Sequence, residues 1–485
     1  MKRSSLGLVA FAGALLLTAG NARAATLTVT TLSDSGRGSL RQAIERANRT
    51  LGADTIVFAP RLRGTLGLKS SLPSLKGSLS IIGPGRERLN VRRTGKTRHR
   101  ILAVAKDGIV LLSGLTLSNG FSPITTRYYN EAGGGGGVRN EGILQMNDCA
   151  VTGNRSDGSG GGVFNIGPQL TLTNCLVTDN QCLVTKPKFG EEVYDITFAS
   201  GGGGLYNNNR DAELLISNST FSRNVCLHNG SGGAIKNASE GKVHILRSTL
   251  THNTAFGGGA LDDISDNDGS GGDFEVTESL IAYNTARKGG AIRTNQYSGK
   301  AILTNCTVSG NKASDTGGAI FSGHGGVELS NCTITGNVAP KGAGVWSQTA
   351  SYISGCIIVG NLLPSHAPGM DIRTGGGGTQ NRPSTGYNFI GRCDANSLAL
   401  FHETGDRSNV SLTALKLGRL ADNGGPTKTH ALLPGSSAIS KGNFYDGKHL
   451  VTDQRGVPRF QKEDGNTGDV GAFQTIYKAS NKTKK

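Results

Sequence analysis

An asparagine that recurs along the chain is the feature that most restricts its fold. The intervals between successive members are 26, 44, 29, 31, 27, 26 and 24 residues. The recurring residues are Asn154, Asn180, Asn224, Asn253, Asn284, Asn311, Asn337 and Asn361. Self-similarity at periods of this size indicates a repeat protein, in which each unit packs against its neighbours along the chain.

Other columns of similar residues accompany this asparagine. The residue three positions before it is always apolar, the residue five before is Cys or Ser, and the residue eight before is again apolar. Before Asn337 these positions hold Ile334, Cys332 and Leu329. The step from −5 to −3 keeps the alternation of a strand that buries one face. The three-residue step from −8 to −5 breaks that alternation and therefore marks a corner.

A pair of glycines followed by small and aliphatic residues completes most repeats, as in Gly232-Gly233-Ala234-Ile235. A unit with three short strands and three corners is one coil of a parallel β-helix, whose coils stack about 4.8 Å apart. Parallel crossovers are right-handed in nearly all proteins. The sequence therefore predicts an all-β fold, a right-handed single-stranded parallel β-helix, with the asparagines stacked inside it as a ladder of hydrogen-bonded amides.

The first 24 residues have the composition of an export signal. Lys2 and Arg3 precede an apolar run, and Ala22-Arg23-Ala24 is a small-x-small cleavage site. The apolar run is shorter than the about 20 residues that span a bilayer. We expect a secreted or cell-surface mature protein without a transmembrane segment, with outer-membrane association as an alternative.

A short helix is predicted to close the N-terminal end of the solenoid. Ser39 to Gln42 fits a capping box, and the spacing of Leu40, Ala43 and Ile44 gives residues 39–49 one apolar helical face. We therefore divide the chain into a signal peptide (1–24), an N-terminal cap (25–78), a parallel β-helix (79–375) and a C-terminal domain with a basic tail (376–485).

The charge of the chain indicates an anionic partner. The net charge is +16, and it becomes +13 when the three basic residues of the signal are removed. A basic surface favours acidic glycans, lipopolysaccharide or nucleic acid. Because no nucleic-acid motif accompanies the charge, we expect a polysaccharide or an anionic cell-surface component and no nucleic acid.

The repeats resemble those of chlamydial polymorphic outer-membrane proteins. Gly232 to Ile235, Gly317 to Ile320 and Phe221-Ser222-Arg223-Asn224 carry this resemblance, which covers roughly residues 130–361. It implies a β-helical passenger that is displayed at the cell surface and is often adhesive.

Both ends resemble further bacterial families. The opening Leu27-Thr28-Val29 and Asp34 to Ile44 is similar to the start of many bacterial right-handed β-helix repeat proteins. The C-terminal region is similar to the choice-of-anchor Q-type domain, through Asp422 to Thr427, His430 to Ser436, Asp453 to Gly456 and Asp469 to Phe473. This second resemblance implies an anchor-type C-terminal domain, and it implies no activity. Secretion without an anchor is the alternative.

The chain has eight cysteines, and most of them have a structural explanation. Five occupy the −5 column beside three serines, so they are small residues of the core. Cys182 and Cys226 instead follow the ladder asparagine by two residues in consecutive coils, and a disulfide between them is the candidate.

A loop rich in aspartate is a weak calcium candidate. Asp266, Asp268 and Glu275 match positions three, five and twelve of a calcium-binding loop. Ile264 occupies the first position, where its side chain is unable to bind a metal. A solvated corner is the default interpretation, and no cofactor is expected.

Two short motifs resemble fragments of the polygalacturonase signature, namely Asp262-Asp263 and Gly323-His324-Gly325. Glycosidases use paired carboxylates for acid–base chemistry. The histidine lies two coils beyond the aspartates, and the basic motif that follows it in that family is absent. The catalytic residues of any activity are therefore unknown.

Two long insertions form the candidate ligand site. Residues 121–132 and 181–200 leave the same corner two coils apart, where most coils have about four to seven residues. Tyrosine rings stack on sugar rings, while carboxylates and arginine bind hydroxyls. The alternative is that the insertions only cover the flank. The candidate ligand-binding residues are Arg127, Tyr128, Tyr129, Glu191, Glu192, Tyr194 and Asp195.

Together these observations favour a non-catalytic β-helix protein that binds carbohydrate or an anionic surface. The alternative is a polysaccharide lyase or glycoside hydrolase that acts on an acidic glycan. A lyase needs a base, usually Lys or Arg, beside calcium or another neutralising cation. No motif identifies such a base in this sequence.

Replacing Tyr128 and Tyr129 together by alanine tests the insertion site. We expect the double variant to lose glycan binding without a lower melting temperature, because side chains on surface loops contribute little to the core. Titration with a panel of glycans, alongside a thermal melt, measures both effects. Unchanged binding would exclude these tyrosines from the site.

Overall fold

The computed structural model describes residues 24–124, 133–183, 201–264, 271–294, 299–348, 351–374, 384–442, 452–459 and 468–476, and the backbone of short strands at 188–189, 192–193, 461–462 and 465–466. Within these residues the chain winds as a parallel β-helix. Two parallel sheets of twelve strands and one of ten run along its length, and each successive strand of a sheet comes from the next coil. The fold class predicted from the repeat is confirmed.

Every full coil contributes one strand to each of the three sheets. The first sheet contains Thr26–Val29, Asp54–Phe58, Ser78–Ile82, Ile109–Ser113, Ile143–Asn147, Gln169–Thr173, Glu213–Ser217, Lys242–Leu246, Phe274–Thr277, Lys300–Thr304, Gly326–Ser330 and Ser351–Ser354. The second contains Leu102–Val104, Val138–Asn140, Val163–Asn165, Leu205–Asn207, Ile235–Asn237, Leu261–Asp262, Ile292–Thr294, Ile320–Ser322, Val345–Ser347 and Ile372–Thr374. The third contains Gly64–Leu68, Leu89–Arg93, Thr116–Ser118, Ala150–Thr152, Leu176–Thr178, Thr220–Ser222, Thr249–Thr251, Leu280–Ala282, Thr307–Ser309, Thr333–Thr335, Ile357–Ile358 and Phe389–Ile390.

Smaller elements complete the described structure. A corner sheet follows the third sheet and contains Phe121–Ser122, Arg155–Ser156, Gln181–Cys182 and Val225–Cys226, and the pair Thr285–Lys288 and Lys312–Thr316 has the same place in later coils. Three antiparallel pairs are Lys188–Phe189 with Glu192–Val193, Leu417–Ala421 with Thr429–Leu432, and Gln461–Lys462 with Gly465–Asn466. The helices are Leu40–Ala47, Ala395–Leu398 and Leu412–Leu415. Among the helices that the structure describes, none has the length and apolar character needed to cross a bilayer.

The predicted asparagine ladder is present without a break from Asn154 to Asn361. Each amide Nδ2 donates to the Oδ1 of the asparagine in the next coil at 2.9–3.0 Å. The same Oδ1 also accepts a backbone N–H from the previous coil, as from Asn284 to Asn311 at 2.9 Å. The interior amides are therefore hydrogen-bonded on both sides, which a buried polar group requires.

A second, shorter asparagine ladder was not predicted from the sequence. Asn140, Asn165, Asn207 and Asn237 end successive strands of the second sheet, and their amides are linked at 2.7, 2.7 and 2.9 Å. The shorter ladder stabilises the corner between the second and first sheets, whereas the longer one follows the third sheet.

The capping helix forms as predicted and covers the N-terminal end of the core. It spans Leu40–Ala47, and the Ser39 side chain accepts the N–H of Gln42. Its apolar face is buried, including Ile44. The sheets nevertheless start earlier than the expected boundary at residue 79, because Thr26–Val29 already pairs in parallel with Asp54–Phe58. The first coils lack the ladder asparagine and the glycine pair, so the repeat pattern does not detect them.

The C-terminal segment folds back onto the outer face of the third sheet. We call the described parts of it, residues 417–442, 452–459 and 468–476, the clasp. Thr307 donates from its hydroxyl to Gln454 Oε1 at 2.6 Å, and the buried Arg459 donates to Asn305 Oδ1 at 2.9 Å. Within the clasp, Arg455 binds Asp453 at 2.7 Å and lies 3.7 Å from the ring centre of Phe473. Several motif residues of the C-terminal region thus hold the clasp together and fix it to the solenoid.

Asp371 ends the long ladder and makes stability depend on pH. Asn361 donates to its Oδ1 from the backbone N–H at 2.8 Å and from Nδ2 at 2.7 Å. Burial raises the pKa of Asp371 to about 6, although these hydrogen bonds act in the opposite direction. A raised folded pKa means that the folded protein binds the proton more tightly than the unfolded chain. This contribution to stability is complete below pH about 4 and is lost as the pH rises to about 6.

Replacing Asp371 by asparagine should remove this pH dependence. Between pH 4 and pH 7 we expect the wild type to lose on the order of 3 kcal/mol of unfolding free energy relative to Asp371→Asn. Urea unfolding at both pH values measures the difference. Replacing the exposed Asp211 by asparagine is the control, and it should follow the wild type. Parallel curves for wild type and Asp371→Asn would contradict the assignment.

Candidate functional site

The outer face of the second sheet carries a continuous column of aromatic and charged side chains. In each strand the residue between the inward aliphatic residue and the ladder position points outward, because side chains alternate along a strand. The strand registers place these residues directly over one another. This outer column consists of Arg139, Phe164, Tyr206, Lys236, Asp262, Arg293, Phe321, Trp346 and Arg373.

Two stacked aromatic pairs lie in the outer column. The Phe164 and Tyr206 rings are 5.3 Å apart and inclined by 6°, and the Phe321 and Trp346 rings are 4.7 Å apart and inclined by 5°. Parallel strands bring equivalent side chains into contact, so successive rings stack. Cations flank the first pair, with Arg139 5.1 Å from the ring centre of Phe164 and Lys236 5.8 Å from that of Tyr206. Such contacts contribute about 0.5–2 kcal/mol each.

Between the aromatic pairs lies a charged triad of Lys236, Asp262 and Arg293. Lys236 and Asp262 are fully buried, and Arg293 donates to Asp262 from Nε. Burial by itself would raise the pKa of Asp262, but Arg293 and, to a smaller extent, Lys236 outweigh it and hold the pKa below its ordinary value. The triad therefore holds one carboxylate, ionised at neutral pH, between two basic side chains.

Glycines beside the second sheet make room for these long side chains. A Cβ at Gly257 would lie 1.9 Å from Arg293 Cζ, and a Cβ at Gly201 would lie 2.3 Å from Lys236 Cδ. A Cβ at Gly134 would likewise lie 2.3 Å from Cδ2 of the Phe164 ring. These long side chains thus pack closely against the backbone of the neighbouring corner, where a side chain larger than glycine would collide with them.

The C-terminal part of the outer column is accessible. Trp346 is half-buried and Lys341 is exposed, whereas Phe321 is buried. The side chain of Arg373 is 47% exposed, and its Nε lies 3.9 Å from a carboxylate oxygen of Asp394. Lys288 lies 5.0 Å from the ring centre of Phe321. We call Lys288, Phe321, Lys341, Trp346 and Arg373 the open end of the outer column. Its aromatic surface and several cations suit an anionic ligand that also presents apolar ring faces.

The candidate residues of the two insertions lie outside the described side chains. Arg127, Tyr128, Tyr129, Glu191, Tyr194 and Asp195 are not described, and of Glu192 only the backbone is. The corner from which the insertions start is described. Phe121–Ser122 and Gln181–Cys182 are separated by Arg155–Ser156 in the corner sheet, so the insertions leave one corner two coils apart. The role of their side chains stays a prediction.

The two cysteines of the candidate disulfide are register partners in the corner sheet. Cys182 lies beside Cys226, and both are buried free thiols. Burial and the hydrogen bond with Cys182 raise the pKa of the Cys226 thiol. Their adjacency agrees with the spacing argument, and the bridge itself stays a prediction.

The calcium candidate stays a prediction as well. Asp266 and Asp268 lie outside the described residues. Glu275 lies on the first sheet, where its carboxylate is 3.0 Å from Nδ1 of His244. Among the described residues, no group of three acidic, histidine or cysteine side chains is arranged to hold a metal ion.

The polygalacturonase-like fragments do not come together. Asp262 faces outward on Leu261–Asp262, whereas His324 follows Ile320–Ser322, two strands further along the second sheet. His324 is exposed and Asp262 is buried. The separation expected from the sequence is therefore observed.

Comparison with known proteins gives limited similarity. The repeat model of the Chlamydia polymorphic membrane protein matches residues 305–323, which include one of the glycine motifs noted above. No curated protein sequence matches the chain. Among solved structures, the A-module of mannuronan C-5 epimerase AlgE4 from Azotobacter vinelandii is similar, with 14% identity and a TM-score of 0.41, over 80% of this chain and 97% of that one. At that score the similarity carries no argument about activity.

Replacing Arg293 by methionine tests the triad. The substitution leaves the buried Asp262 without its main partner, so we expect a loss of about 3 kcal/mol of unfolding free energy at pH 7. The loss should shrink as the pH falls, because without Arg293 burial raises the pKa of Asp262 and the carboxyl group of the variant becomes protonated. The control is Arg287→Met, because Arg287 and Asp315 form a partly exposed ion pair at 3.8 Å. This substitution should lower the unfolding free energy by less than about 1 kcal/mol. Equal losses in urea unfolding would contradict the triad.

Proposed function

We propose that this protein binds an acidic polysaccharide along the open end of the outer column, as a secreted or cell-surface β-helix protein. The observation that carries the proposal is the stacked pair of Phe321 and Trp346 with cations around it. Aromatic rings bind the apolar faces of sugars, and the neighbouring cations bind carboxylates. The ligand class is thus a glycan that contains uronate units.

The geometry of the solenoid supports an extended ligand. Successive coils repeat about every 4.8 Å, so Phe321, Trp346 and Arg373 of the open end form a straight row along the axis. The net charge of +16 adds a long-range attraction for a polyanion. A straight, rigid row binds a linear chain at several points at once without ordering its own backbone.

The location at the cell surface is part of the same proposal. It is supported by the signal-like N-terminus and by the short match to a membrane-protein repeat. Attachment through a choice-of-anchor Q-type C-terminal domain remains a proposal. The described clasp binds the solenoid with its own motif residues, so an attachment would use other parts of the C-terminal region.

A lyase or hydrolase is the second candidate, and the triad is the observation that favours it. Lys236 and Arg293 beside Asp262 are the residue types that neutralise a uronate and remove a proton. Lys236 and Asp262 are fully buried, however, and Asp262 is already bound to Arg293. A substrate would have to displace this ion pair, so the geometry favours binding without turnover.

Two single substitutions test the binding proposal. Trp346→Ala and Arg373→Ala should each weaken binding to polygalacturonate by about tenfold, which corresponds to about 1.4 kcal/mol. Binding should also weaken with salt, because charges at an exposed site are screened. Affinity electrophoresis and calorimetry measure these effects, with neutral dextran as the reference polysaccharide.

The matched controls are exposed residues away from the open end. Tyr352 lies on the first sheet and is 52% exposed, and Arg61 is exposed near the N-terminal end. Tyr352→Ala and Arg61→Ala should bind as the wild type does. Wild-type affinity in Trp346→Ala and Arg373→Ala would refute the site. Release of unsaturated or reducing sugar ends would support the enzyme instead.

A further inference from the structure

A cavity of about 380 Å³ lies between the third sheet and the clasp, on a different face from the outer column. The solenoid contributes Thr251, His252 and Tyr283 to its wall, and the clasp contributes Asp422 and Lys428. Ligand-binding cavities commonly have volumes of about 300–1,000 Å³. This one is large enough for one or two sugar units.

Tyr283 and His252 lie at the left-handed corner that precedes each ladder asparagine. Each directly precedes a ladder asparagine, and each has a φ of 58°, in the left-handed region. Gly153, Gly310 and Gly336 have the equivalent place in other coils. Asp179 and Arg223 adopt the same conformation in two further coils. The corner therefore belongs to the repeat, and at this cavity two successive coils place an aromatic ring on it.

The next coil supports the Tyr283 ring. A Cβ added to Gly310 would lie 2.7 Å from Cδ1 and Cε1 of Tyr283, so the ring lies directly over this glycine. The ring centre is 5.2 Å from that of His252, whose Nδ1 is 2.8 Å from the Thr251 hydroxyl. Tyr283 is nevertheless 47% exposed. It is thus an immobilised aromatic platform that lines the cavity.

The opposite wall is fixed to the solenoid. Thr427 donates from its hydroxyl to the Glu278 carbonyl oxygen at 3.1 Å and accepts from Gln454 Nε2 at 2.8 Å. These bonds fix Thr427 and the adjacent Lys428, while Asp422 accepts the N–H of Gly424 at 3.0 Å. Lys428 and Asp422 supply one basic and one acidic group to the wall. A fixed aromatic ring opposite a carboxylate, an ammonium group and hydroxyls is the arrangement that binds sugars.

We propose that this cavity is a second carbohydrate site, which binds a neutral sugar unit or a glycan end. A neutral ligand is indicated because the acidic and basic groups of the wall balance, in contrast to the cations of the open end. The site is independent of the proposed function, since it shares no residue with the outer column.

Neutral disaccharides test this site directly. The probes are cellobiose and N,N′-diacetylchitobiose, with digalacturonate as the charged comparison, and binding to the full chain is followed by saturation-transfer NMR and calorimetry. We expect saturable binding of at least one neutral probe. Failure of both neutral probes, or binding of digalacturonate alone, would overturn the proposal.

Substitutions of Tyr283 separate binding from folding. Tyr283→Gly restores the residue found in other coils, so the melting temperature should stay equal or rise while binding weakens by at least about tenfold. Tyr283→Phe keeps the ring and should keep most of the affinity. Tyr352→Ala, on the first sheet, should leave the binding of the neutral disaccharides unchanged. Wild-type binding by Tyr283→Gly would overturn the proposal, whatever the outcome at the open end.

Discussion

The hydrogen bond from one asparagine amide to the next is the interaction on which the other features of this structure depend. Each ladder oxygen between Asn180 and Asn361 accepts both an amide and a backbone N–H from the preceding coil. This double acceptance fixes the position of each coil along the axis and around it. A buried amide without its partner would cost about 1–3 kcal/mol, so a displaced coil is penalised at every rung. The columns of outward-facing side chains are straight because the asparagine ladder inside the solenoid is straight.

The same register also brings the outward-facing side chains of neighbouring coils next to each other. Equivalent residues of neighbouring coils lie one strand spacing apart, so like charges in one column would repel each other. In the outer column the cations Lys236 and Arg293 are separated by Asp262, and Phe321 and Trp346 separate Arg293 from Arg373. The two arrangements also differ in accessibility. Asp262 is fully buried and Arg293 is largely buried in their ion pair, whereas the side chain of Arg373 is 47% exposed.

The parts of the fold that the sequence predicts are those that repetition imposes. The ladder, the corner between the −8 and −5 positions and the capping helix all follow from periodicity, and all are observed. The outer column was not predicted, although every member except Arg373 directly follows the aliphatic residue of a glycine motif. The reason is that outward positions hold residues of different types from one coil to the next. The coils before residue 79 were not predicted, because they lack both the asparagine and the glycine pair. The clasp contacts were not predicted either, because residues 147 positions apart, such as Thr307 and Gln454, share no local pattern.

The candidate sites differ from the predicted one for a related reason. Loop length identified the corner of the insertions, but it carries no information about which side chains a rigid scaffold presents beside them. At the open end, the strand register determines which side chains lie next to each other. Between Tyr283 and the clasp, the packing of a distant segment of the chain determines it. At both sites a neighbouring coil contacts one side of an aromatic ring: Phe321 of the preceding coil contacts Trp346, and Gly310 of the following coil contacts Tyr283. A solenoid therefore produces rigid aromatic surfaces wherever one outward position holds a ring and the next coil has a flat partner for it, and such surfaces are suited to sugars.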